Sequence, residues 1–313
     1  MSKTRNDMKD GTPILITGAT GRHGGTGLAA AKELLQRGYA VRTLVRQLDA
    51  RAELLRGLGA EIVVGDYSNY GSLLAALDGV ESAYFCYPVA AGITEAAGLF
   101  AGAGRHQGLK RIVDLSLATT AVDSPSPQGR SQWVAEQIFE WAGMGGVHLR
   151  IAAFFMENIT LIDAQGIRTS ARIANSFGDK PLSWISGVDV GAIAANLLAD
   201  PQLYTERVLI AGGVERLTFR EVASTVSAAV GQPVRYEELT PQAWKAELIA
   251  SSGNQDEVNF RAIDHLVAQS IALRAGPVLP ITDHVRKLTT RIPTSVAAFS
   301  AMHHLELTPL TKN

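Results

Sequence analysis

The sequence ILITGATGRHG, from Ile14 to Gly24, decides the fold. A short apolar run of the β type leads into glycines at positions 18, 21 and 24, and apolar residues at helical spacing follow. These features predict a strand, a tight turn and the start of a helix. Gly18 lets the chain turn, Gly21 lets the backbone approach a ligand, and Gly24 lets the helix pack close to the strand. The free N–H groups of the first helical turn would then face an anion, most naturally a pyrophosphate.

The glycine spacing is G-x-x-G-x-x-G, whereas the commoner dinucleotide-binding motif has the spacing G-x-G-x-x-G. Glycine triplets alone are a weak signal, and the alternative is that these are simply turn glycines. The context favours a dinucleotide site, because a strand precedes the turn, a helix follows it and a second strand ends about twenty residues further on. We therefore predict cofactor contacts from Gly18, Ala19, Thr20, Gly21, Arg22, His23 and Gly24.

The composition is that of an ordinary globular protein with a sizeable core, since 46% of the 313 residues are apolar and 19% are charged. A net charge of −1 argues against a nucleic-acid or anionic-membrane surface, because both need clustered positive charge. No apolar run in the sequence reaches the roughly 18 residues that a membrane span needs. We therefore predict neither a nucleic acid nor a membrane as partner.

The single cysteine, Cys86, cannot form an internal disulfide and sits in an apolar, strand-like run. This favours a buried, inert thiol and a reducing compartment. No group of cysteines and histidines has zinc-type spacing, so we predict no metal site. Residues 1–11 are polar and lack an apolar signal segment, so we expect a disordered N-terminal tail and a cytoplasmic protein.

Short β-rich runs alternate strictly with helical patterns from residue 12 to residue 152. Such alternation requires right-handed crossovers, so we predict an α/β fold with a Rossmann-type, doubly wound parallel sheet. We assign residues 12–152 to a Rossmann domain that binds the dinucleotide, and we expect later segments to contribute to its sheet. The periodicity loosens after Ile151, and we assign residues 153–313 to a smaller α/β C-terminal lobe that binds substrate. The segment 123–129 is expected to be a loop.

Arg46 lies at the end of the second predicted strand, where an NAD-preferring site has Asp or Glu to hold the ribose 2′-hydroxyl. A guanidinium instead pairs with a 2′-phosphate and can stack on the adenine face. Arg22, in the glycine turn, adds a second positive charge on the same side. We therefore predict NADP(H) as the cofactor, with a solvated strand end as the alternative interpretation of Arg46.

Two further pairs of residues follow predicted strands and are expected to border the dinucleotide. Asp66 and Tyr67 follow the third strand, where Asp66 would accept a hydrogen bond from the adenine amine. An aspartate after a strand is also a common turn former, and this alternative stays open. Tyr87 and Pro88 follow the fourth strand and should border the central part of the dinucleotide, with core packing as the alternative for Tyr87.

Several motifs are similar to those of the NmrA-like family of atypical short-chain dehydrogenase/reductase proteins. They are Gly18-Ala19-Thr20-Gly21 with Gly24, VRTLVR at 41–46, Gly65-Asp66, KRIVDLS at 110–116, FFMEN at 154–158, PLSWISGVDVG at 181–191, LTFREVASTVSAAVGQPVRY at 217–236 and LTPQAW at 239–244. The opening motif is shared by many dinucleotide folds, whereas its combination with FFMEN and WISGVDVG is much more specific. The resemblance covers residues 13–305.

The resemblance implies NADP(H) bound across the sheet edge and a substrate cleft between two lobes. Members of the family include quinone and triphenylmethane-dye reductases, plant benzylic-ether reductases, and a fungal transcriptional regulator that binds dinucleotide without turning it over. Membership is therefore compatible with an enzyme and with a sensor.

The chain departs from the family's relatives where proton chemistry would be expected. Ordinary short-chain dehydrogenases use a Tyr-x-x-x-Lys pair, whose lysine lowers the tyrosine pKa, and no such pair occurs in this sequence. Many NmrA-like reductases instead carry a lysine at the start of the helix after the fifth strand, a place that aligns with Gln132, close to Arg130. Gln132 cannot donate a proton as an acid, and arginine is effectively always charged. Conventional alcohol–ketone chemistry is therefore not expected.

Direct hydride transfer to a conjugated acceptor needs mainly orientation, because the cofactor carries the difficult chemistry and water can supply the proton. We therefore predict an NADPH-dependent reductase of a small conjugated or aromatic acceptor, of the quinone, dye or enone type, and we name no catalytic residue. For each candidate substrate contact, core packing, turn capping or loop anchoring is the alternative. The candidates are Ser116, Phe155, Met156 and Asn158.

The main alternative is a non-catalytic NADP(H)-binding redox sensor or regulator that acts through a protein partner. It would bind cofactor without turnover, and the partner's affinity would differ between NADP⁺ and NADPH. A sugar-nucleotide epimerase or dehydratase would share the opening motif, but such enzymes normally need the Tyr-x-x-x-Lys pair.

Overall fold

A parallel sheet of seven strands forms the centre of the computed structural model, which describes residues 11–21, 25–252 and 259–310. The strands of the chain are β1 Ile14–Thr17, β2 Val41–Val45, β3 Glu61–Val64, β4 Ser82–Phe85, β5 Arg111–Leu117, β6 Gly145–Ile151, β7 Phe154–Phe155, β8 Arg172–Asn175, β9 Leu182–Ile185, β10 Val208–Ala211, β11 Glu215–Leu217 and β12 Arg235–Glu238. The large sheet has the order β3-β2-β1-β4-β5-β6-β10, and all its pairings are parallel. The order reverses between β1 and β4, where a doubly wound sheet binds its ligand.

Helices cover both faces of this sheet. The helices of the chain are α1 Thr26–Gln36, α2 Ala50–Gly57, α3 Tyr70–Leu77, α4 Ile93–Gln107, α5 Pro127–Trp141, α6 Ala164–Ser170, α7 Gly187–Ala199, α8 Phe219–Val230, α9 Pro241–Ser251, α10 Phe260–Ala275, α11 His284–Thr289, α12 Val296–Met302 and α13 His304–Leu307. Ile14 and Ile16 pack in the core beneath α1, α2 and α7, whereas Leu15 packs in the core beneath α3, α4 and α5. Successive side chains of a strand point to opposite faces of the sheet, and both faces of this sheet are buried. Ile14, Leu15 and Ile16 are therefore all apolar.

The second lobe has its own core, built around rings. A three-stranded sheet in the order β11-β9-β7 and a parallel pair of β8 and β12 surround it. Neighbouring rings meet with centroids 5.1–5.4 Å apart, mostly edge to face, which is a favourable aromatic geometry. The rings belong to Phe154, Phe177, Trp184, Phe219 and Trp244.

The structure confirms the Rossmann-type, doubly wound parallel sheet and the smaller α/β lobe. Segments beyond residue 152 return to the large sheet, because β10 extends its edge and α7 packs on α1. The helices α1 and α7 approach closely at Gly191, where an added Cβ would lie 2.4 Å from the Cβ of Ala29. The boundary at residue 152 stays a prediction.

The expectation of a loop over 123–129 is wrong in its second half. Helix α5 begins at Pro127, and the Ser126 hydroxyl accepts a hydrogen bond from the Gly129 N–H at 3.4 Å as its N-cap. Proline suits the first helical turn, because its missing N–H would have no helical partner there. Residues 1–10 of the expected tail lie outside the described residues. Among the helices that the structure describes, none has the length and apolar character to cross a membrane.

Candidate functional site

A cavity of about 940 Å³ opens at the carboxyl ends of the strands of the large sheet. The segments that follow β1, β2, β3 and β4 line one end of it, and the ends of β5 and β6 line the other. The second lobe closes over the cavity with Phe154, Phe155 and Leu182, and α10 lies across it. The cavity therefore lies at the reversal of strand order, and its size suits a large ligand.

The glycine turn presents its backbone to this cavity. Gly18 has a φ of +67°, and an added Cβ would lie 2.8 Å from the carbonyl oxygen of Cys86. The Gly21 N–H donates to the Gly18 carbonyl at 3.0 Å and closes the turn. The Thr17 hydroxyl donates to the Tyr84 carbonyl at 2.8 Å, which fixes the turn against β4. Gly18, Thr20 and Gly21 line the cavity, whereas the side chain of Ala19 is buried beneath them.

Helix α1 packs closely against the glycine turn at Gly27. An added Cβ on Gly27 would lie 2.8 Å from the backbone nitrogen of Ala19, so α1 passes directly against the turn at Gly27. Helix α1 begins at Thr26, and its N-cap, Gly25, has a φ of +60°. The predicted contacts Arg22, His23 and Gly24 lie outside the described residues.

Two arginines face the cavity beyond β2. Arg46 is exposed at the end of β2, as its sequence position predicts. Arg51, in the first turn of α2, donates through Nη1 to the Thr20 carbonyl at 2.6 Å and through Nη2 to Asp49 Oδ2 at 2.5 Å. The hydrogen bond from Arg51 lowers the pKa of Asp49, which also caps α2. No motif in the sequence points to Arg51; only its place in the turn after β2 could have indicated it.

Asp66 and Tyr67 line the same end of the cavity. Asp66 Oδ1 accepts hydrogen bonds from the Ser68 N–H at 2.8 Å and the Ser68 hydroxyl at 2.7 Å, and these bonds lower the pKa of Asp66. Asp66 therefore forms the turn that was the alternative interpretation, while it also borders the cavity. The Tyr67 hydroxyl donates to the Cys86 carbonyl at 3.0 Å, and burial raises its pKa.

Tyr87 and Pro88 also line the cavity, after β4. Tyr87 lies beside Tyr67, with ring centroids 5.3 Å apart, and its hydroxyl donates to the Ala91 carbonyl at 2.9 Å. Both tyrosine hydroxyl protons are therefore engaged with backbone carbonyls. Cys86 is half-buried at the same place, and burial raises the pKa of its thiol to about 11, so the thiol stays protonated at neutral pH.

Ser116, near the end of β5, donates its hydroxyl proton to a buried carboxylate. The Ser116 hydroxyl donates to Glu136 Oε1 at 2.5 Å. Arg150 donates to both oxygens of Glu136, through Nε at 3.0 Å and through Nη2 at 2.5 Å. Because the serine proton is held in this way, Ser116 can accept a hydrogen bond from a ligand in the cavity but is poorly placed to donate one.

A second buried ion pair lies behind Ser116. His148 Nδ1 is 2.5 Å from Asp114 Oδ1, and its Nε2 is 3.0 Å from Glu140 Oε1. Burial opposes the charge of His148, but the hydrogen bond and charge of Asp114 outweigh it and raise the pKa of His148 to about 9. Ligand atoms of Asp114, Glu136 and His148 lie within 4.8 Å of one another, as at a metal site. The histidine and Arg150 already supply the positive charge there, so the group is a poor fit for a metal ion.

Amide side chains line the cavity at the start of α5, the place that aligns with a lysine in many NmrA-like reductases. Gln132 is 3% exposed, and its Nε2 donates to the Leu115 carbonyl at 3.0 Å. Gln128, one turn earlier, is 1% exposed. From α10, Gln269 Nε2 donates to Thr119 Oγ1 at 2.6 Å, and His265 Nδ1 lies 2.8 Å from the Ser126 hydroxyl. No sequence motif marks the α10 residues, and only their four-residue spacing, which places them on one helix face, could have found them.

The FFMEN segment divides between the cavity and the second core. Phe155 and Asn158 line the cavity, and substrate contact by either residue stays a prediction. Met156 is 0% exposed and packs in the core of the second lobe, so its prediction as a substrate contact is wrong. Met156 lies just past β7, in a turn where its N–H donates to the Ile185 carbonyl at 3.0 Å, and its side chain packs in the second core.

Asn158 precedes a π-helix, Ile159–Asp163, a form of helix that often occurs at functional sites. Its side chain is 3% exposed, and its Oδ1 has no hydrogen-bond partner among the described residues. A buried amide oxygen without a partner is unfavourable in the free protein. A ligand N–H or O–H in the cavity could satisfy it.

Comparison with known proteins gives a consistent result. A family model for NAD(P)H binding matches residues 18–150, and the model of the NmrA-like family matches residues 146–270. The NAD(P)H azoreductase of Xenophilus azovorans is 29% identical over 292 residues, covering 93% of this chain and 97% of that protein. The (4-alkanoyl-5-oxo-2,5-dihydrofuran-3-yl)methyl phosphate reductase of Streptomyces griseus is 32% identical over 241 residues, covering 76% of this chain and 80% of that protein.

Among solved structures, an NADPH-dependent quinone oxidoreductase from Escherichia coli, crystallised with NADPH, has the same fold. It superimposes with a TM-score of 0.77 at 22% identity, over 92% of this chain and 99% of that one. At this level of identity the likeness establishes a shared fold.

Proposed function

Because the chain belongs to the NmrA-like family of atypical short-chain dehydrogenase/reductases, we propose that it transfers hydride from NADPH to a small conjugated or aromatic acceptor. The predictions of this family, of an oxidoreductase and of NADP(H) as cofactor are confirmed. The nature of the acceptor, which we take to be of the quinone, dye or enone type, and the preference for NADPH over NADH belong to the proposal.

The observation that carries the acceptor class is that the hydroxyl protons of Ser116, Tyr67 and Tyr87 are all held by acceptors within the protein. Ser116 gives its proton to Glu136, Tyr67 and Tyr87 give theirs to backbone carbonyls, and Gln132 stands where relatives carry a lysine. A simple ketone needs an acid to protonate the alkoxide that forms. A quinone does not, because its reduced anion is delocalised and takes a proton from water.

The chemistry then balances without a dedicated acid. Bound NADPH supplies the hydride. NADPH, one proton and the quinone give NADP⁺ and the hydroquinone, with the proton drawn from solvent. The protein's part is to orient the acceptor and to exclude competing reactions, for which Phe155 and the aliphatic side chains of Leu182 and Leu266 offer an apolar surface.

The cofactor preference is supported by positive charge at the adenosine end. Arg46 and Arg51 both line the cavity beyond β2, where a 2′-phosphate would lie. Asp49 is ion-paired with Arg51, so its charge is largely offset. The remaining guanidinium of Arg46 is well suited to a phosphate, and the 2′-hydroxyl of NADH would lack that interaction.

The test is NADPH oxidation, followed by its absorbance, against quinones, azo and triphenylmethane dyes, enones and plain aliphatic ketones. We expect turnover with conjugated acceptors and none with plain ketones. Turnover of plain ketones alone would contradict the proposed acceptor class. Tight NADPH binding without any turnover, together with a protein partner that distinguishes NADP⁺ from NADPH, would favour the alternative of a redox sensor.

A further inference from the structure

Charge is distributed unevenly along the cavity. The charged lining side chains lie at the dinucleotide end, after β2 and β3 and on the first turns of α2 and α4: Arg46, Asp49, Arg51, Asp66 and Glu95. The opposite end, which we call the acceptor end, is formed by residues after β5 and β6, by the start of α5 and by α10. Within the described part of the chain, no Asp, Glu, Lys or Arg side chain lines the acceptor end.

The polar groups of the acceptor end are almost all uncharged amides and hydroxyls. Gln128, Gln132 and Asn158 are each at least nine-tenths buried and border the cavity. Gln269 adds a fourth amide, held 2.6 Å from the Thr119 hydroxyl. Such groups recognise carbonyl, hydroxyl and amide groups of a ligand, but none of them carries a charge to pair with an anion.

The cations nearest to the acceptor end are engaged elsewhere. Arg150 holds both oxygens of Glu136. Arg261 donates through Nη2 to the Pro127 carbonyl at 3.0 Å and to the Ser131 hydroxyl at 2.7 Å. Arg261 also donates through Nε to Gln128 Oε1 at 3.4 Å, so its guanidinium lies behind that lining amide. Recruiting either guanidinium for a ligand would break these contacts, and an anion buried without a cation is strongly unfavourable.

We infer that the acceptor end selects uncharged conjugated acceptors and rejects congeners that carry a sulfonate, carboxylate or phosphate. This inference rests on the proposed function and restricts the proposed class of acceptors to its uncharged members. Among acceptors of the same ring system, the uncharged member binds because its polar atoms meet amides. The anionic member loses its hydration without gaining an ion pair.

Turnover of a matched pair tests the inference: 1,4-naphthoquinone and its 2-sulfonate, compared in the same buffer. The sulfonate withdraws electrons and makes the ring easier to reduce, so a lower rate reports on the site. We expect kcat/KM to be on the order of 100-fold lower for the sulfonate. Equal values would overturn the inference and leave the proposed function standing, whereas no turnover of either quinone or of any of the dyes and enones would overturn the proposed function.

Binding gives a second readout that does not depend on turnover. The NADP⁺-loaded protein is titrated with 4-(dimethylamino)azobenzene and with its 4′-sulfonate, and the visible absorbance of the dye reports binding. We expect the uncharged dye to bind at least about tenfold more tightly. Equal affinities would overturn the inference even if neither dye is reduced.

A third test changes the charge of the protein and not that of the ligand, by placing a positive charge at the acceptor end. Gln269 is half-buried on α10, so Gln269→Lys can place an ammonium beside Thr119, and Gln269→Met is the uncharged control of similar length. We expect Gln269→Lys to reduce the discrimination against the sulfonated quinone by about tenfold, the gain of one partly buried ion pair. An equal change in both variants would contradict the role of charge.

Discussion

Arg46 is the residue on which the choice of dinucleotide depends. It is exposed at the end of β2 and borders the cavity, so its guanidinium is available to a 2′-phosphate. We predict that Arg46→Ala raises KM for NADPH by about 10–100-fold, the loss of one charge-assisted hydrogen bond, and leaves KM for NADH nearly unchanged. Steady-state kinetics with both cofactors measures this.

The matched control for Arg46 is Arg56→Ala. Arg56 is also an exposed arginine of this region, on α2, but it pairs with Glu53 at 2.5 Å and does not border the cavity. Its removal should leave both KM values unchanged. An equal rise in KM for NADPH and for NADH in Arg46→Ala would show that Arg46 does not bind the 2′-phosphate.

Two roles of the Asn158 side chain, ligand binding and loop anchoring, can be distinguished by one substitution. Since its Oδ1 has no partner among the described residues, Asn158→Leu removes an unsatisfied polar atom and should leave the free energy of unfolding unchanged or higher. If Asn158 binds the ligand, kcat/KM of the same variant should also fall, by about 10–100-fold. Thermal unfolding without ligand and steady-state kinetics separate the two. A large loss of stability with normal kinetics would favour the anchor.

At the scale of the element, the β1-turn-α1 unit depends on a glycine that the motif does not include. Gly27→Ala would place a Cβ 2.8 Å from the Ala19 nitrogen and push α1 away from the turn. We predict a loss of about 1–3 kcal/mol in the free energy of unfolding, together with weaker NADPH binding. Urea unfolding and a fluorescence titration with NADPH measure the two effects.

Gly98→Ala is the control for this substitution. Gly98 is also a helical glycine, within α4, and an added Cβ there meets nothing within 4 Å. Alanine should stabilise α4 by up to about 1 kcal/mol through its helix propensity. If Gly27→Ala is equally harmless, the close approach at Gly27 is not needed.

Elements differ in how well their sequences predict them. The apolar run of β1 and the glycine turn are local features, so their structure follows from neighbouring residues. The start of α5 was misplaced, because Ser126 and Pro127 are typical both of loops and of helix N-termini. The position of α10 over the cavity depends on contacts with residues more than 100 positions away, such as Gln269 with Thr119.

At the scale of the whole molecule, His148 couples the fold to pH. Its folded pKa of about 9 exceeds the ordinary histidine value of about 6.5. The stability it contributes is therefore fully present below pH 6.5 and is lost as the pH rises through about 9. We predict that the free energy of unfolding of the natural chain falls over this range. The fall should be smaller in His148→Gln/Asp114→Asn, in which neither member of the buried pair titrates.

Two other buried groups act in the same direction and require that comparison. Burial raises the pKa of Glu157 to about 7 and that of Asp163 to about 8, so each destabilises the fold as pH rises towards those values. Both remain in His148→Gln/Asp114→Asn, so their contributions cancel in the difference between the two proteins, which reports the His148–Asp114 pair. Urea unfolding at several pH values measures it, and identical pH dependence would contradict the role of His148.

The sequence by itself determined the large sheet, the turn that presents its backbone to a dinucleotide, and Arg46 at the end of β2. These are local properties: apolar runs, glycines at positions of positive φ, and a charge directly after a strand. Strand alternation then leaves few topologies, so the cavity's position also follows.

Only the tertiary structure decided which side chains meet in that cavity. In it, Ser116 donates its proton to Glu136, Met156 packs in the second core, and Gly27 brings α1 close to the glycine turn. The amides of α5 and α10 meet at an end of the cavity that no Asp, Glu, Lys or Arg of the described residues lines. These outcomes depend on distances between segments far apart in the chain and on which face of each element is buried. Neither quantity is a property of any local stretch of sequence, because both are fixed only when the two lobes pack together.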